Sequence, residues 1–396
     1  MIARRAIHRP VRVLELRSVR GTGGGPEKTI LQSALHPDPD RFAITVCYIR
    51  DARDAVFGID ARARELGVDY VEIVEKHSLD PRVWPALRRL VRDRRVDIVH
   101  AHEYKTDLLA ALLARRDGII PLATSHGWTG HSRRERRVYY PLDKQILRAF
   151  PITIAVSREI RAELVRAGVR PARIRVVLNG IDHWSWRRER AAEPGARLRF
   201  GIGRGEIAVG AIGRLEPQKR FDLVIEACAM LRATHPRLRL LIAGDGSLRN
   251  DLQQLADARL PDGACRLLGH EDEVALLHHA LDVFVQASDY EGTPNAVLEA
   301  MALETPVVAT AAGGTAEIAR HPVDALIVPP GDVPALARAI ERTLSNRVET
   351  LARVASARQR IETVLSFDAR MRAVENIYLD LVDRRHGVAP LEDQCA

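Results

Sequence analysis

Short apolar runs alternate with amphipathic stretches along nearly the whole chain, the pattern of strands and helices in a parallel α/β fold. In the first half the runs VRVLEL (11–16), FAITVCYI (42–49), DYVEIV (69–74), DIVHAH (97–102), PLATSH (121–126), ITIAVS (152–157) and IRVVLNG (174–180) predict strands. The charged stretch 185–205, with Pro194 and Gly195, breaks the alternation and predicts a linker. The pattern then restarts with IAVGAIG (207–213), LRLLIAG (238–244), CRLLG (265–269), DVFVQAS (282–288), TPVVAT (305–310) and ALIVPP (325–330). Two doubly wound Rossmann-like domains follow, over 1–184 and 206–365, with a ligand cleft expected where the carboxyl ends of the two sheets face each other. The remainder, 366–396, opens with a helical pattern that sets Met371, Val374, Ile377, Tyr378 and Leu381 on one side. Such a helix must pack on something, and the first domain is the expected place.

One further amphipathic segment, PRVWPALRRLVRDRR, gathers Val83, Trp84, Leu87, Leu90 and Val91 on one face among arginines. Two readings are open: an interfacial helix on an anionic membrane, or a core-packing helix with a solvated basic face.

Composition adds little to the fold and more to the partners. The chain of 396 residues is 46% hydrophobic and 28% charged, ordinary for a globular protein of two domains. Lys and Arg total 60 against 52 Asp and Glu, a formal charge of +8 that favours anionic partners. Cys47, Cys228, Cys265 and Cys395 show neither disulfide nor zinc spacing, which fits a reducing compartment. The amino-terminal stretch has no signal-peptide core and no run is long enough to span a bilayer. The expected location is cytoplasmic, with the inner membrane face as the one peripheral alternative.

The segment EGTPNAVLEA places Glu291 before a helix start and Glu299 inside the helix, with Thr293 as the expected N-cap and Pro294 as the first helical residue. Even on one continuous helix the two glutamates would lie only about 80° apart around the axis. Together they can grip a ligand rich in hydroxyls, next to backbone N–H groups suited to an anion. In VGAIGRLEPQKRFDLVIEA, Arg214 and Lys219 lie on a strand-to-helix loop, where two cations can hold a diphosphate without a metal. A solvated surface loop is the plain alternative.

Near the amino terminus, GTGGGPEKTI follows the first strand and opens a helix. It is not a dinucleotide fingerprint, because Pro26 falls at the third glycine position counted from Gly21. A dehydrogenase is thereby disfavoured. His100, His102 and His126 stand at strand ends, where structural and catalytic roles are about equally common, and H-x-H alone is a weak metal signal. The letters DPD at 38–40 precede a strand instead of following one, so they predict a turn and no metal site.

The segments VLNGID, GRLEPQK, AGDG, SDYEGTPNAVLEAMA and TPVVATAAGGTAEI resemble, over nearly the whole chain, the retaining glycosyltransferases of family 4, or glycosyl transferases group 1, of the GT-B fold. GGGPEKT is similar to that family's Gly-Gly-x-Glu variant. The resemblance implies GT-B architecture, a nucleotide-sugar donor and no metal or other cofactor. Glu299 would bind the ribose hydroxyls and Glu291 those of the transferred sugar. Arg214, Lys219 and the N–H groups near Gly292, Thr293, Pro294 and Asn295 would stabilise the departing diphosphate. His126 would stand near the reacting centre, and Gly24 and Gly25 would leave room for sugar and phosphate. Asp245, Gly246 and Leu298 complete the implied donor set, with His270 in LLGHEDEV beside the base. Arg214, Lys219, Glu291 and His126 are the residues implied in catalysis.

Uridine is the preferred donor base from family usage, and the implied acceptor is a glycan or lipid-linked hydroxyl in polysaccharide or glycolipid biosynthesis. Its expected place is the first domain, whose basic and aromatic insert spans 127–150. A nucleotide-sugar epimerase of the same architecture is the alternative, separable by product analysis. A nucleic-acid-binding protein would suit the charge, but no recognition motif supports specific binding.

Overall fold

Every predicted strand forms, and the strands join side by side in parallel into two sheets. The computed structural model describes residues 9–21, 23–128 and 134–387, so part of the 127–150 insert and Cys395 lie outside the described residues. Two units result: Met1–Val177 with Arg370–Ala396, and Leu178–Ala369. Residues 178–184, read from sequence with the first domain, belong to the second unit. Ile181 accounts for this: its N–H donates to Leu365 O at 3.0 Å and its carbonyl accepts from Phe367 N at 2.9 Å. A Cβ on Gly180 would lie 2.6 Å from Ser366 O, so glycine permits that close approach.

In the first unit, β1 (Val11–Ser18), β2 (Phe42–Asp51), β3 (Tyr70–Glu75), β4 (Ile98–Ala101), β5 (Ile120–Ser125), β6 (Ile152–Ala155) and β7 (Ile174–Val176) lie in the order β3-β2-β1-β4-β5-β6-β7. The order reverses between β1 and β4, which opens a crevice at their carboxyl ends. The helix Val83–Asp93 buries Val83, Leu87 and Val91, with Trp84 and Leu90 packed against the same core. That fits the core-packing reading in place of the membrane one, because the apolar face belongs to one buried core with Leu14, Leu16 and Val99 of the sheet. Two of its arginines bind acids outside the helix: Arg88 pairs with Asp117 and Arg94 with Asp69. No helix among the described residues is long and apolar enough to cross a membrane.

The helix Phe367–Arg385 buries Met371, Val374, Ile377, Tyr378 and Leu381. Each fully buried apolar side chain contributes roughly 1.5–3 kcal/mol, so this helix is integral to the first unit and not an appendage. The DPD letters form a turn in which Asp40 N donates to Asp38 Oδ1 at 3.1 Å and Arg41 N to Asp38 O at 3.0 Å.

In the second unit, β8 (Ile207–Ile212), β9 (Leu238–Ala243), β10 (Cys265–Gly269), β11 (Val283–Gln286), β12 (Val307–Thr310) and β13 (Leu326–Val328) follow the order β10-β9-β8-β11-β12-β13. The reversal falls between β8 and β11. The predicted linker is instead structured: the helix Glu193–Arg199 buries Ala196, and Phe200 and Ile202 join a core with Ala208, Leu277 and Leu281. Its charges concealed that spacing. Arg197 reaches Asp282 at 3.2 Å and Arg188 reaches Glu193 at 2.9 Å, so they fasten the segment in place of solvating it. Cys47, Cys228 and Cys265 are free and buried, and burial pushes the Cys47 and Cys265 thiols up to about 12, so they act as small apolar residues.

The loops after β8 and β9 touch through backbone. Gly244, at φ 139°, would bring a Cβ to 1.8 Å from Gly213 O. Gly244→Ala is therefore expected to destabilise the second unit by roughly 3 kcal/mol. Gly195 has open space around its Cβ position in a helix. Gly195→Ala is expected to be neutral or to stabilise by up to about 1 kcal/mol. Urea midpoints of the two variants against the parent check both.

Candidate active site

At the carboxyl end of β8 the chain turns at Gly213 and is pinned by buried Leu215, whose N–H donates to Asp245 O at 2.9 Å and whose carbonyl accepts from Leu248 N at 3.0 Å. Three cations follow with different fates. The Arg214 guanidinium is exposed and makes no ion pair or side-chain hydrogen bond among the described residues. Lys219 Nζ donates to Glu291 Oε1 at 2.6 Å. Arg220, in the left-handed region at φ 49°, is held by Asp222 at 3.0 Å and Asp289 at 3.2 Å, which makes it the structural member of the three.

The loop after β11 is fixed from all sides. Glu291, 8% exposed, also accepts from Ser288 Oγ at 2.6 Å. Thr310 Oγ1 donates to Ser288 O at 2.6 Å, and Gly314 N to Gly292 O at 2.8 Å. Asn179 Nδ2 donates to Thr293 O at 3.3 Å and Asn295 Oδ1 at 3.2 Å. A buried carboxylate must be paired, and the partners that satisfy Glu291 also set the loop's shape. The helix spans Asn295–Ala302 with Pro294, in extended conformation at ψ 110°, as its N-cap. The expected Thr293 cap is thus displaced by one residue, and no side-chain hydrogen bond caps this helix start among the described residues. Glu299 is buried one turn further on, at 5% exposure.

The remaining predicted donor residues spread along neighbouring strand ends. Asp245 and Gly246 follow β9, where Gly246 N donates to Asp245 Oδ1 at 2.9 Å. A Cβ on Gly246 would meet Leu215 O at 2.6 Å. His270 follows edge strand β10, exposed and 3.2 Å from Asp272. Leu298 lies in the core with Phe284 and Met301, which makes it a support of the helix. The strand order thus lines up the loops holding His270, then Asp245 and Gly246, then Arg214 and Lys219, then Glu291 to Asn295.

The first unit builds a second constellation at its own switch point. Register sets Glu15 of β1 beside His100 of β4, and His102 follows directly after that strand. The Glu15 carboxylate meets His102 Nε2 and accepts from Tyr378 OH at 2.9 Å. His102 Nδ1 lies 3.2 Å from His126 Nε2. His100 lies between Tyr378 OH at 2.8 Å and Thr124 Oγ1 at 2.7 Å. Glu15, His100 and His102 have the composition of a metal centre, with ligand atoms within 4.8 Å of one another, but these atoms already hydrogen-bond to each other and to Tyr378 and Thr124.

In the glycine turn, Gly23 at φ 73° is the residue a side chain would obstruct, since its Cβ would lie 2.4 Å from Glu27 Cγ. Gly24 N donates to Glu27 Oε2 at 2.5 Å, and Arg17 Nε to Glu27 Oε1 at 2.5 Å. Gly25 is the first residue of the following helix. Sequence reasoning assigned no role to Glu15, Arg17, Asn179 or this contact of Tyr378. A charged residue inside an otherwise apolar parallel strand, as in VRVLELR, is the signal that marks Glu15 and Arg17.

Burial pushes His102 down to about 4 and His126 well below the ordinary histidine value, with Arg17 adding to the effect at His126. For Glu15, burial alone would raise the carboxyl, but charge and hydrogen bonds from His100 and His102 outweigh it and keep the group ionised. The unfolded chain therefore binds protons on these histidines more readily than the folded one. Their contribution to stability is complete above about pH 6.5 and is lost as pH falls toward 4. For His102 alone the loss is on the order of 3 kcal/mol. Denaturation midpoints between pH 7 and 4 should fall, and His102→Asn should flatten the slope.

Comparison with known proteins bears on the family and the fold. Residues 23–184 match the family model Glycosyltransferase Family 4, and residues 197–360 match Glycosyl transferases group 1. A glycogen synthase of Mycobacterium tuberculosis is 30% identical over 363 residues, 87% of this chain and 83% of that protein. The UDP-Gal:alpha-D-GlcNAc-diphosphoundecaprenol alpha-1,3-galactosyltransferase of Escherichia coli is 26% identical, covering 75% and 79%. Among solved structures, Anabaena HepE in complex with UDP and glucose superposes with a TM-score of 0.81 at 20% identity, covering 93% of this chain and 99% of that one, a likeness of fold. With both family models matched in chain order, and a relative at this identity aligned over most of both chains, the protein belongs to the group 1, family 4 glycosyltransferases of GT-B architecture.

Proposed function

We propose that the protein transfers a sugar, with retention of anomeric configuration and without a metal, from a nucleoside diphosphate sugar to a hydroxyl of a glycan or lipid-linked acceptor. UDP-sugars are the preferred donors, and the setting is polysaccharide or glycolipid biosynthesis. One observation carries the reading: Arg214, Lys219, buried Glu291 and a helix start without a side-chain cap sit on the loops of β8 and β11, the strands flanking the switch point of the second sheet. The names of similar proteins support the donor class, since the E. coli relative uses UDP-Gal and HepE was solved with UDP and glucose. The acceptor rests on the same relative, whose name specifies a diphosphoundecaprenol substrate.

In this reading Arg214 grips the diphosphate by a fork of hydrogen bonds, and the N–H groups at the start of Asn295–Ala302 add partial positive charge. Lys219 passes from Glu291 alone to a position shared with phosphate oxygen, which frees Glu291 acceptor capacity for sugar hydroxyls. Glu299 takes the ribose hydroxyls. His126, with Gly24 and Gly25, serves the transferred sugar. Charge on the leaving diphosphate is met by these cations and dipoles, the work a metal does elsewhere. The transition state resembles an oxocarbenium ion, and the departing oxygen accepts the acceptor's proton on the same face, so Glu291 orients and no protein nucleophile is needed.

A thermal-shift panel of UDP, GDP, ADP and their sugar conjugates is the first test. A shift selective for UDP and unchanged by chelator is expected, because a ligand that binds only the folded state raises its melting temperature. A shift abolished by chelator would remove the metal-free mechanism. Arg214→Ala and Lys219→Ala should each lower kcat by roughly 10²- to 10³-fold. Glu299→Gln should raise the donor KM roughly tenfold with a smaller change in kcat. Proton NMR of the first-formed product should show the donor's anomeric configuration. An inverted product would overturn retention, and epimerised donor without transfer would return the epimerase.

A further inference from the structure

The histidines of the first unit form a directed chain of hydrogen bonds, and its direction follows from proton counting. The Glu15 carboxylate is 1% exposed and accepts from Tyr378 OH at 2.9 Å, while His100 Nδ1 stands 3.3 Å from the same oxygen. A carboxylate only accepts, so His102 Nε2, which meets its other oxygen, carries a proton. His102 is 3% exposed and burial holds it neutral above about pH 4, so its Nδ1 has a lone pair and no proton. His126 Nε2, 3.2 Å away, must then be the donor. The groups acting on His126 are Arg17 from β1, His100 and His102 from β4 and its end, and Arg370 from the last helix; all are cationic or neutral, and none stabilises an imidazolium.

We propose that Glu15 and His102 are positioning residues that lock His126 in the tautomer protonated on Nε2, leaving Nδ1 as a hydrogen-bond acceptor for the transferred sugar. The inference rests on the reading of His126 as a donor-sugar residue given above. It deepens that reading by fixing what His126 can do. In this state it accepts from a hydroxyl and does not donate to a leaving oxygen, because its one proton is committed to His102. The backbone supports the lock as well, since Arg17 Nη1 donates to His102 O at 2.9 Å. A tautomer set by the hydrogen bond at the other ring nitrogen is the ordinary way a protein orients an imidazole.

The test uses the full chain labelled with ¹⁵N-histidine, with long-range ¹H–¹⁵N correlations at pH 7.5 and the His126 signals assigned by their loss in His126→Gln. The parent should show a protonated Nε2 and a bare Nδ1. His102→Leu should let His126 average between tautomers, lower kcat about 10- to 100-fold with little change in donor KM, and move the acidic limb of the pH profile upward. His102→Asn places Oδ1 where Nδ1 stood, so it should restore the tautomer and most of kcat. A parent His126 protonated on Nδ1 overturns the proposal. So does a folded His102→Leu with unchanged tautomer and kcat, or a folded His102→Asn as impaired as His102→Leu. If the parent transfers no sugar from any nucleotide sugar, the functional reading fails, while the NMR result still decides the tautomer.

Discussion

The bond between Lys219 and Glu291 is the contact on which the second unit's site depends. Its partners come from the loops after β8 and β11, the strands at which the sheet reverses direction, and it crosses the gap that the reversal opens. A carboxylate at 8% exposure would be costly without a cation or several donors. Ser288 supplies one donor and Lys219 the charge, and Thr310 and Gly314 hold the backbone that carries them. The outcome is a preorganised surface in which the ammonium has one fixed anionic neighbour while Arg214 has none among the described residues. Lys219 therefore has its orientation set by Glu291, whereas no side-chain partner among the described residues sets that of the exposed Arg214.

The two sheets share one strand order up to their lengths, three strands running one way from the first and the rest the other. Their crevices nevertheless carry opposite chemistry. The second unit places Arg214, Lys219 and a helix start at its switch point, all suited to negative charge. The first unit fills the equivalent place with buried imidazoles whose affinity for protons is depressed and a carboxylate that stays ionised among donors. Fold alone therefore does not set the character of such a crevice; the side chains on the strand ends do.

The fold was legible because parallel strands buried on both faces read as nearly unbroken apolar runs, and β1 to β13 each contain such a run. Boundaries moved by a residue or two at most strand ends, by four at the end of β7, and by one at Pro294. The linker was misread for a physical reason. The helix Glu193–Arg199 hides a single alanine among charges, and the apolar anchors that fasten the segment, Phe200 and Ile202, lie just beyond it. The helix Val83–Asp93 shows the converse limit: its amphipathic spacing was plain, but spacing cannot say whether the apolar face meets lipid or the protein's own sheet. The candidate residues Arg214, Lys219, Glu291 and Glu299 could be singled out by spacing and chain order, and their roles belong to the proposal. Asn179, which hydrogen-bonds Thr293 and Asn295 from more than a hundred residues away, could not, because nothing local marks the target of a side-chain amide.

Glu15 shows how function and folding share one group in the first unit. Its carboxylate collects Tyr378 from the last helix and His102 from the end of β4, and His102 in turn reaches His126 beyond β5. The helix Phe367–Arg385 is thus tied to β1, a central strand of the sheet, by the same acid that meets the histidine chain. Replacing Glu15 by an apolar residue would leave His102 Nε2 buried without its acceptor, and the cost of such an orphaned donor exceeds the net gain from an ordinary hydrogen bond. Stability alone therefore accounts for keeping an acid at this position once Tyr378 and His102 are present. What it does not account for is the orientation of the chain beyond His102, where an N–H···N bond leads to His126. That last link, 3.2 Å between His102 Nδ1 and His126 Nε2, is the one on which the proposed role of His126 turns.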